Sequence, residues 1–558
     1  MGQAVSWSPV PYFLRLRHVH RLVRWRQTRL SPLVIRSGWI SNPAVLATES
    51  VTRTLIWGVV VTPLAALLAL LVAPWASLVA LAPLCFFVMP EVRLRDRIAQ
   101  RREGVERELP FFSVMVNVLA GAGVPLHSIL RDLAKTDLFP SIGREALLVR
   151  RDVDVFGMNP NDSVDRLASS HPSSRFADFL LGYTSKARSG GDVALYLTGE
   201  SGSLLRGLET GWARYVSGVG IVGSMMITAL GVVPLLLTIV GVFSPVFSQE
   251  GLILFTLIGV PLVAIALLFL AGRMQPVREE PFRGSVPMGI LASLPTALVA
   301  AFLGGIWASV GAGLFVFFVA YGLTVREQLA EVRATEEGLA HFLKDILEYK
   351  RQEYDLTRAV LATQLSTRYN PRFDGLLSHV AVQLRVGVPL DEVRMDCRSK
   401  LGRLTFVLLG QMSRSGGGTV DTVYQVSNFV DRMTEMKRSA AAEIRPYAIL
   451  SYVSPLLLAF GITFVGSVMS SFNRTGGPVF AGLGVGAATA GASQAAPSEV
   501  SGLLIVVTAA ALGLINSKIT DFTVKSTLRA SGNVVLAIAA VAAISVFGSH
   551  PFLQALGL

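Results

Sequence analysis

Cysteine is nearly absent from this 558-residue chain. Cys85 lies in an apolar run and Cys397 in a charged one, so no disulfide framework exists and neither has a metal-ligating neighbour in sequence. No Gly-Lys dipeptide occurs, which excludes a phosphate-binding loop of the GxxxxGKS/T kind. The seven histidines form no HExxH, and only His18 and His20 are close, inside an arginine-rich stretch. The nearest approach to a GxSxG elbow, Gly199-Glu200-Ser201-Gly202-Ser203, ends in Ser. These absences point to a chain with no catalytic residues, no resident metal and no cofactor.

Charge is missing over long distances as well. With 52% apolar residues and a mean hydropathy of +0.54, the sequence contains nine runs without Asp, Glu, Lys, Arg or His. They cover about 55–73, 76–90, 216–240, 251–271, 285–303, 306–323, 447–469, 500–516 and 531–547. Such runs mark transmembrane helices, because backbone polar groups in lipid must be satisfied within the segment. A secondary transporter needs ionisable groups at membrane depth; a small-solute channel or transporter is therefore the weaker alternative. Gly218, Gly220, Gly223 and Ser224 suit close helix packing, within a subunit or in a homo-oligomer.

With a cytoplasmic N-terminus, nine spans leave 49 of the 50 Lys and Arg residues on the cytoplasmic side, Arg474 excepted. Of the net charge of +12, about +7 lies in residues 1–54, which hold eight Arg and one Glu. The segments 91–215 and 324–446 carry 17 and 18 basic residues against 16 acidic ones each. A nucleic-acid partner would need the surplus on a folded face; here it lies beside the membrane, where anionic lipid attracts it. The stretch from Leu14 to Arg29 reads as an interfacial helix with Leu14, Leu22 and Trp25 in the headgroups, or else as a basic tail that enforces topology.

One unit is used twice. Leu109, Phe112 and Leu126 recur as Leu339, Phe342 and Leu356 at a shift of 230. Pro160 and Val164 recur as Pro389 and Val393, and Arg188-Ser189-Gly190-Gly191 recurs as Arg414-Ser415-Gly416-Gly417. The apolar stripe Leu339, Phe342, Leu343, Ile346, Leu347 is helical in period, and breakers divide each copy into a small bundle. The Ser-Gly-Gly elements fit inter-helix turns, with Asp192 or Thr419 capping the next helix; the sharper alternative is a helix N-terminus that grips an acidic partner group. The expected fold is thus all-α: a polytopic membrane protein of about nine transmembrane helices with two homologous cytoplasmic helical-bundle domains. Its parts would be a basic segment 1–54, spans 55–90, a first domain 91–215, spans 216–323, a second domain 324–446, and spans 447–558 with an outside loop 470–499. That loop carries the sequon Asn473-Arg474-Thr475.

The stretches ELPFFSVMVNVLAGAGVPL (108–126), KARSGGDVALYL (186–197), RSGGGTVDTVYQVSNFV (414–430) and EIRPYAILSYVSPLLL (443–458) resemble the F-domain proteins of type II secretion systems and type IV filaments. The two-domain form is most similar to the archaeal branch, the platform of archaella and archaeal pili. The resemblance implies an assembly platform in the cell membrane. A hexameric cytoplasmic ATPase would dock on the helical domains, and prepilin or archaellin subunits would pass from the bilayer into the filament. Because both segments are nearly neutral, such docking would use local basic clusters, for which Lys350, Arg351, Arg101, Arg102, Lys437 and Arg438 are the candidates; the alternative is that they are solvated faces or lipid-facing anchors.

The topology has a direct check. Single cysteines at Ser493 and Thr523 are expected to label differently from outside intact cells, the first accessible and the second protected. Equal labelling or the reverse order contradicts nine spans.

Overall fold

The computed structural model describes residues 17–38, 42–71, 83–134, 138–243, 249–277, 282–416, 418–475 and 499–547, and among them every regular element is helical. The chain divides into two units, residues 1–204 and 205–558.

In the first unit α1 (Arg17–Ser37) and α2 (Pro43–Leu71) pack on α3 (Leu84–Gly121) around Val23, Leu30, Val34, Ala47, Val51 and Leu94. Leu22 and Trp25 of α1 stay exposed, while Leu14 lies outside the described residues. Not every arginine here belongs to a solvated or lipid-facing surplus. Arg26 is 1% exposed, donates to Glu91 at 2.8 Å and the Phe87 carbonyl at 2.6 Å, and lies over the Phe87 ring. A buried guanidinium is tolerable only with such partners.

The rest of α3 enters a helical lobe with α4 (Leu126–Leu133), α5 (Pro140–Asp154), α6 (Pro160–Ser170), α7 (Ser174–Ser189) and the start of α8 (Val193–Ile227). Phe112 sits at its centre, with its ring against Phe139, Phe176 and Phe179 at 6.0–6.4 Å. The entry to α5 has no side-chain cap of its own. Instead Glu108 reaches from α3 and accepts from the Ser141 and Ile142 amides, which supplies both the missing acceptor and a negative charge at the helix start.

The second unit holds the remainder of α8, continued by a π segment (Thr228–Val232) into α9 (Val233–Phe243). Then come α10 (Gln249–Leu254), a second π segment (Phe255–Gly259), α11 (Val260–Met274), α12 (Val286–Arg351), α13 (Leu356–Ser366), α14 (Pro371–Arg385), α15 (Lys400–Ser415) and α16 (Val420–Thr475). The last two helices are α17 (Glu499–Thr520) and α18 (Leu528–Phe547). Among the described residues seven helical stretches are long and apolar enough to cross a membrane, beginning at Pro43, Val193, Gly251, Gly304, Val420, Glu499 and Leu528, with a shorter one over Val286–Phe302. The protein is a multi-pass membrane protein. The run at 76–90 falls in part outside the described residues. α16 runs to Thr475, and residues 476–498 of the expected outside loop lie outside the description.

Gly305 breaks α12 with a φ of 82°, and the Glu499 carboxylate accepts from the Ile306 amide at 2.9 Å beyond the break. α17 is the most enclosed span: Leu504, Ile505, Val506, Ala509, Leu512 and Ile515 are buried, whereas Leu262, Leu291 and Phe302 of other spans are exposed, as lipid-facing residues must be. The loop after α17 is fixed by Asp521. It is 4% exposed and accepts from Ser526 at 2.6 Å, Arg333 at 2.7 Å and Arg529 at 3.0 Å. Burial alone would raise this carboxyl, but the bonds from Arg529 and Ser526 and the charges of Arg529 and Arg333 bring it below the ordinary value.

A second lobe is built from the last turns of α12, then α13, α14, α15 and the start of α16. Phe342 is its centre, with its ring 5.7 Å from Phe406 and 6.3 Å from Tyr369. Phe342 corresponds to Phe112 at the shift of 230, whereas Phe406 stands one turn later in α15 than Phe176 does in α7, because those two helices match at a shift of 226. Smaller contacts repeat as well. Ser173 caps α7 and donates to Glu106; Ser399 caps α15 and donates to Glu336. The copies differ at α6. Asn159 caps that helix through its side chain, but Val388 stands before Pro389 and has no such acceptor. The segment 386–399 is irregular, pinned where Gln383 bonds the Arg394 carbonyl and amide.

Truncating either aromatic centre tests whether each lobe has its own core. Phe112→Ala and Phe342→Ala are each expected to cost about 3–5 kcal/mol. Limited proteolysis and hydrogen exchange are expected to show the loosening in the altered lobe and not in the other.

Candidate partner-binding surfaces

The repeated turns come first. α7 ends at Gly190 with φ 67° and α15 at Gly416 with φ 69°, left-handed positions that glycine adopts without a Cβ clash. Gly191 donates its amide to the Lys186 carbonyl; Gly417 lies outside the described residues. Asp192 then bonds the Leu195 amide and Thr419 the Thr422 amide, which starts the next helix in each copy. The arginines of both turns point back into their own lobes: Arg188 pairs with Asp162 and Asp165 at 2.6 Å, and Arg414 with Asp391 at 3.6 Å. Asp162 and Asp391 are equivalent in the repeat, so this ion pair too occurs twice. Ser189 and Ser415 bond carbonyls three residues back, at Lys186 and Met412.

The basic candidates fall into two groups. Arg101 is 11% exposed, grips Glu145 through two bonds of 2.8 and 2.5 Å, and donates to the Arg36 carbonyl. Lys437 is similarly held by Glu336 at 2.8 Å. A side chain so engaged leaves little charge for a partner. Arg102 is exposed and pairs with Glu106 one turn on, a contact worth about 0.3–0.5 kcal/mol that a partner can displace. Arg438 is exposed. Lys350 and Arg351 end α12, bonded to the Tyr354 carbonyl at 3.2 Å and to Glu348 at 3.3 Å. Arg101 and Arg102 adjoin in the first unit, and Lys350 with Arg351 and Lys437 with Arg438 adjoin in the second.

The turn after Lys350 and Arg351 has a further feature. Glu353 is left-handed, φ 65°, where the first copy has Gly123 at φ 79°. A non-glycine residue there costs about 1–2 kcal/mol. Two exposed apolar side chains were also not singled out in the sequence. Phe156, 62% exposed, and Val386, 80% exposed, stand at equivalent positions before the left-handed Gly157 and Gly387. The doubled position before a glycine was the available signal. Among the described residues no group of three or more His, Cys, Asp or Glu is placed to hold a metal ion.

Behind Arg101 lies a buried polar network. His171 accepts from the Ser173 amide through Nδ1 and has Nε2 3.9 Å from Glu145. Burial pushes this imidazole down to about 4, against the pull of Glu145 and with Arg101 adding to the depression. The folded state therefore refuses a proton that the unfolded chain accepts below its ordinary value of 6.5, and stability falls as pH drops through that window. From pH 7 to pH 5 the loss is expected to be about 2 kcal/mol. His171→Asn, which keeps an acceptor for Ser173, is expected to flatten that dependence in thermal unfolding of the purified protein.

Residues 111–241 match the family model described as type II secretion system (T2SS), protein F. The chain is also similar to the Methanocaldococcus jannaschii protein named "Uncharacterized protein MJ1286", 21% identical over 419 residues, which covers 66% of this chain and 69% of that one. No solved structure matches.

Proposed function

Starting from a chain that carries a type II secretion system protein F domain over residues 111–241, we propose that it is the assembly platform of an archaeal type IV pilus or archaellum. It sits in the cytoplasmic membrane with its N-terminus inside. A secretion ATPase grips the two helical lobes from the cytoplasm, and prepilin subunits leave the bilayer through the platform into the filament base. The observation that carries this reading is that the matched domain does not stand alone. The lobe with Phe112 at its centre recurs around Phe342, and each copy ends on a helix, α8 or α16, that continues without a break into an apolar span. A motor partner needs such a pair of handles rigidly joined to membrane helices. The relative in Methanocaldococcus jannaschii supports the archaeal branch.

The energy must come from the partner, as the chain has no phosphate-binding loop. Of the candidates, Lys350 and Arg351 are the most available grip, since they end a helix at an exposed turn and are held only by weak local contacts. The purified protein is expected to bind the motor without hydrolysing ATP itself. Lys350→Glu and Arg351→Glu are expected to slow association by about tenfold at low salt and to flatten its salt dependence. Unchanged affinity and salt slope in folded, membrane-inserted variants removes these two residues from the interface. Robust hydrolysis by the pure protein contradicts the whole reading.

A further inference from the structure

Between α8 and α16 of the second unit runs a groove of about 700 Å³, within the range of ligand-sized clefts. Ala213, Ser217, Gly220 and Ser224 form one wall, Met436, Ser439 and Glu443 the other, and Tyr447 and Trp212 also line it. The spacing of the first wall places four small residues on one stripe of α8, the pattern that lets a membrane helix approach closely. Tyr447 already uses part of it: a Cβ at Gly220 would meet its hydroxyl at 2.9 Å, and one at Gly223 its ring.

Three observations say what the groove accepts. It begins beside charged residues and runs into the apolar part of α8, so it straddles the membrane boundary. At its charged end stand two carboxylates. Glu209 is shared with Arg432 at 3.6 Å, but Glu443 is exposed and, among the described residues, has no cation bonded to it. Finally Trp212 is 4% exposed, and among the described residues its indole N–H finds no acceptor. A buried donor without a partner costs free energy, and an incoming carbonyl would relieve it.

We propose that this groove seats the apolar transmembrane helix of a partner that carries a cation at its cytoplasmic end, with the cation on Glu443. The carboxylates disfavour an anionic lipid headgroup, and the small stripe suits a helix backbone better than an acyl chain. This deepens the platform reading and rests on it, by giving the filament subunit a place to dock.

The test uses the full-length protein in phosphatidylcholine liposomes and a synthetic Leu-Ala transmembrane peptide ended by Lys, Gln or Glu, with a diazirine one turn from that end. Crosslinks from the Lys-ended peptide are expected on Val216–Ser224 and Met436–Tyr447, with several-fold lower yield for the Gln-ended peptide. Glu443→Gln is expected to reduce the Lys-ended yield roughly fivefold, and Glu443→Lys to transfer the preference to the Glu-ended peptide. Crosslinks elsewhere, a yield indifferent to peptide charge, or a folded Glu443→Gln variant with unchanged yield overturns the proposal. Protection of the groove by added phosphatidylglycerol, equal in parent and Glu443→Gln proteins, assigns it to lipid and also overturns it. No motor is present in this assay, so a failed groove leaves motor binding standing, and failed motor binding leaves the groove result to be judged alone.

Discussion

A chain that enters lipid has to take its backbone hydrogen bonds with it, and this one constraint shapes most of what the protein does elsewhere. It makes α8 and α16 unbroken where they pass from charged to apolar sequence. It also confines charge to the boundary, where the protein has used it for construction. Asp521 ties the turn after α17 to α12 and α18, Lys525 reaches the Phe282 carbonyl at 2.5 Å, and Lys518 meets Gln275 at 2.7 Å. These partners are hundreds of residues apart in some cases, so the ends of the membrane helices are cross-braced at the depth where water is still near enough to moderate the cost of the charges.

The spans were legible in the sequence because absence of charge over about 20 residues has a single physical meaning. Their ends were less so. α2 begins at Pro43, earlier than the first charge-free residue, because Glu49 and Arg53 pair at 2.6 Å and extend the helix through a charged turn. The break at Gly305 was implied only by adjacent runs. The π segments after Ile227 and Leu254 left no mark in residue pattern. The aromatic centres were half visible: Phe112 and Phe342 were matched, but that Phe176 of α7 and Phe406 of α15 each bring a second ring onto them is not revealed by a stripe on one helix.

Surface chemistry was the least legible part. A count of Arg and Lys does not tell an engaged side chain from an available one, because engagement is decided by residues far off in the chain. Arg101 meets Glu145 and Arg36; Arg26 meets Glu91. Lys350 and Arg351, by contrast, are bonded to partners within four residues, the Tyr354 carbonyl and Glu348. Glu443 was counted as one more acidic residue of a neutral segment, and its position on the lip of a groove depends on a helix that lies more than 200 residues earlier.

The irregular segment in the second lobe has a practical consequence. In the first lobe the residues equivalent to 389–399 are committed to α6, whose amides are bonded in sequence, and an inserted stretch there would break a helix. Around Glu392 and Arg394 the chain is largely exposed, out of regular structure, and pinned by the Gln383 side chain at Arg394. Exposed backbone of that kind absorbs added residues at low cost. The duplication has therefore left one of its two copies with a natural port, at which an epitope or a fluorescent reporter can be spliced into the folded lobe.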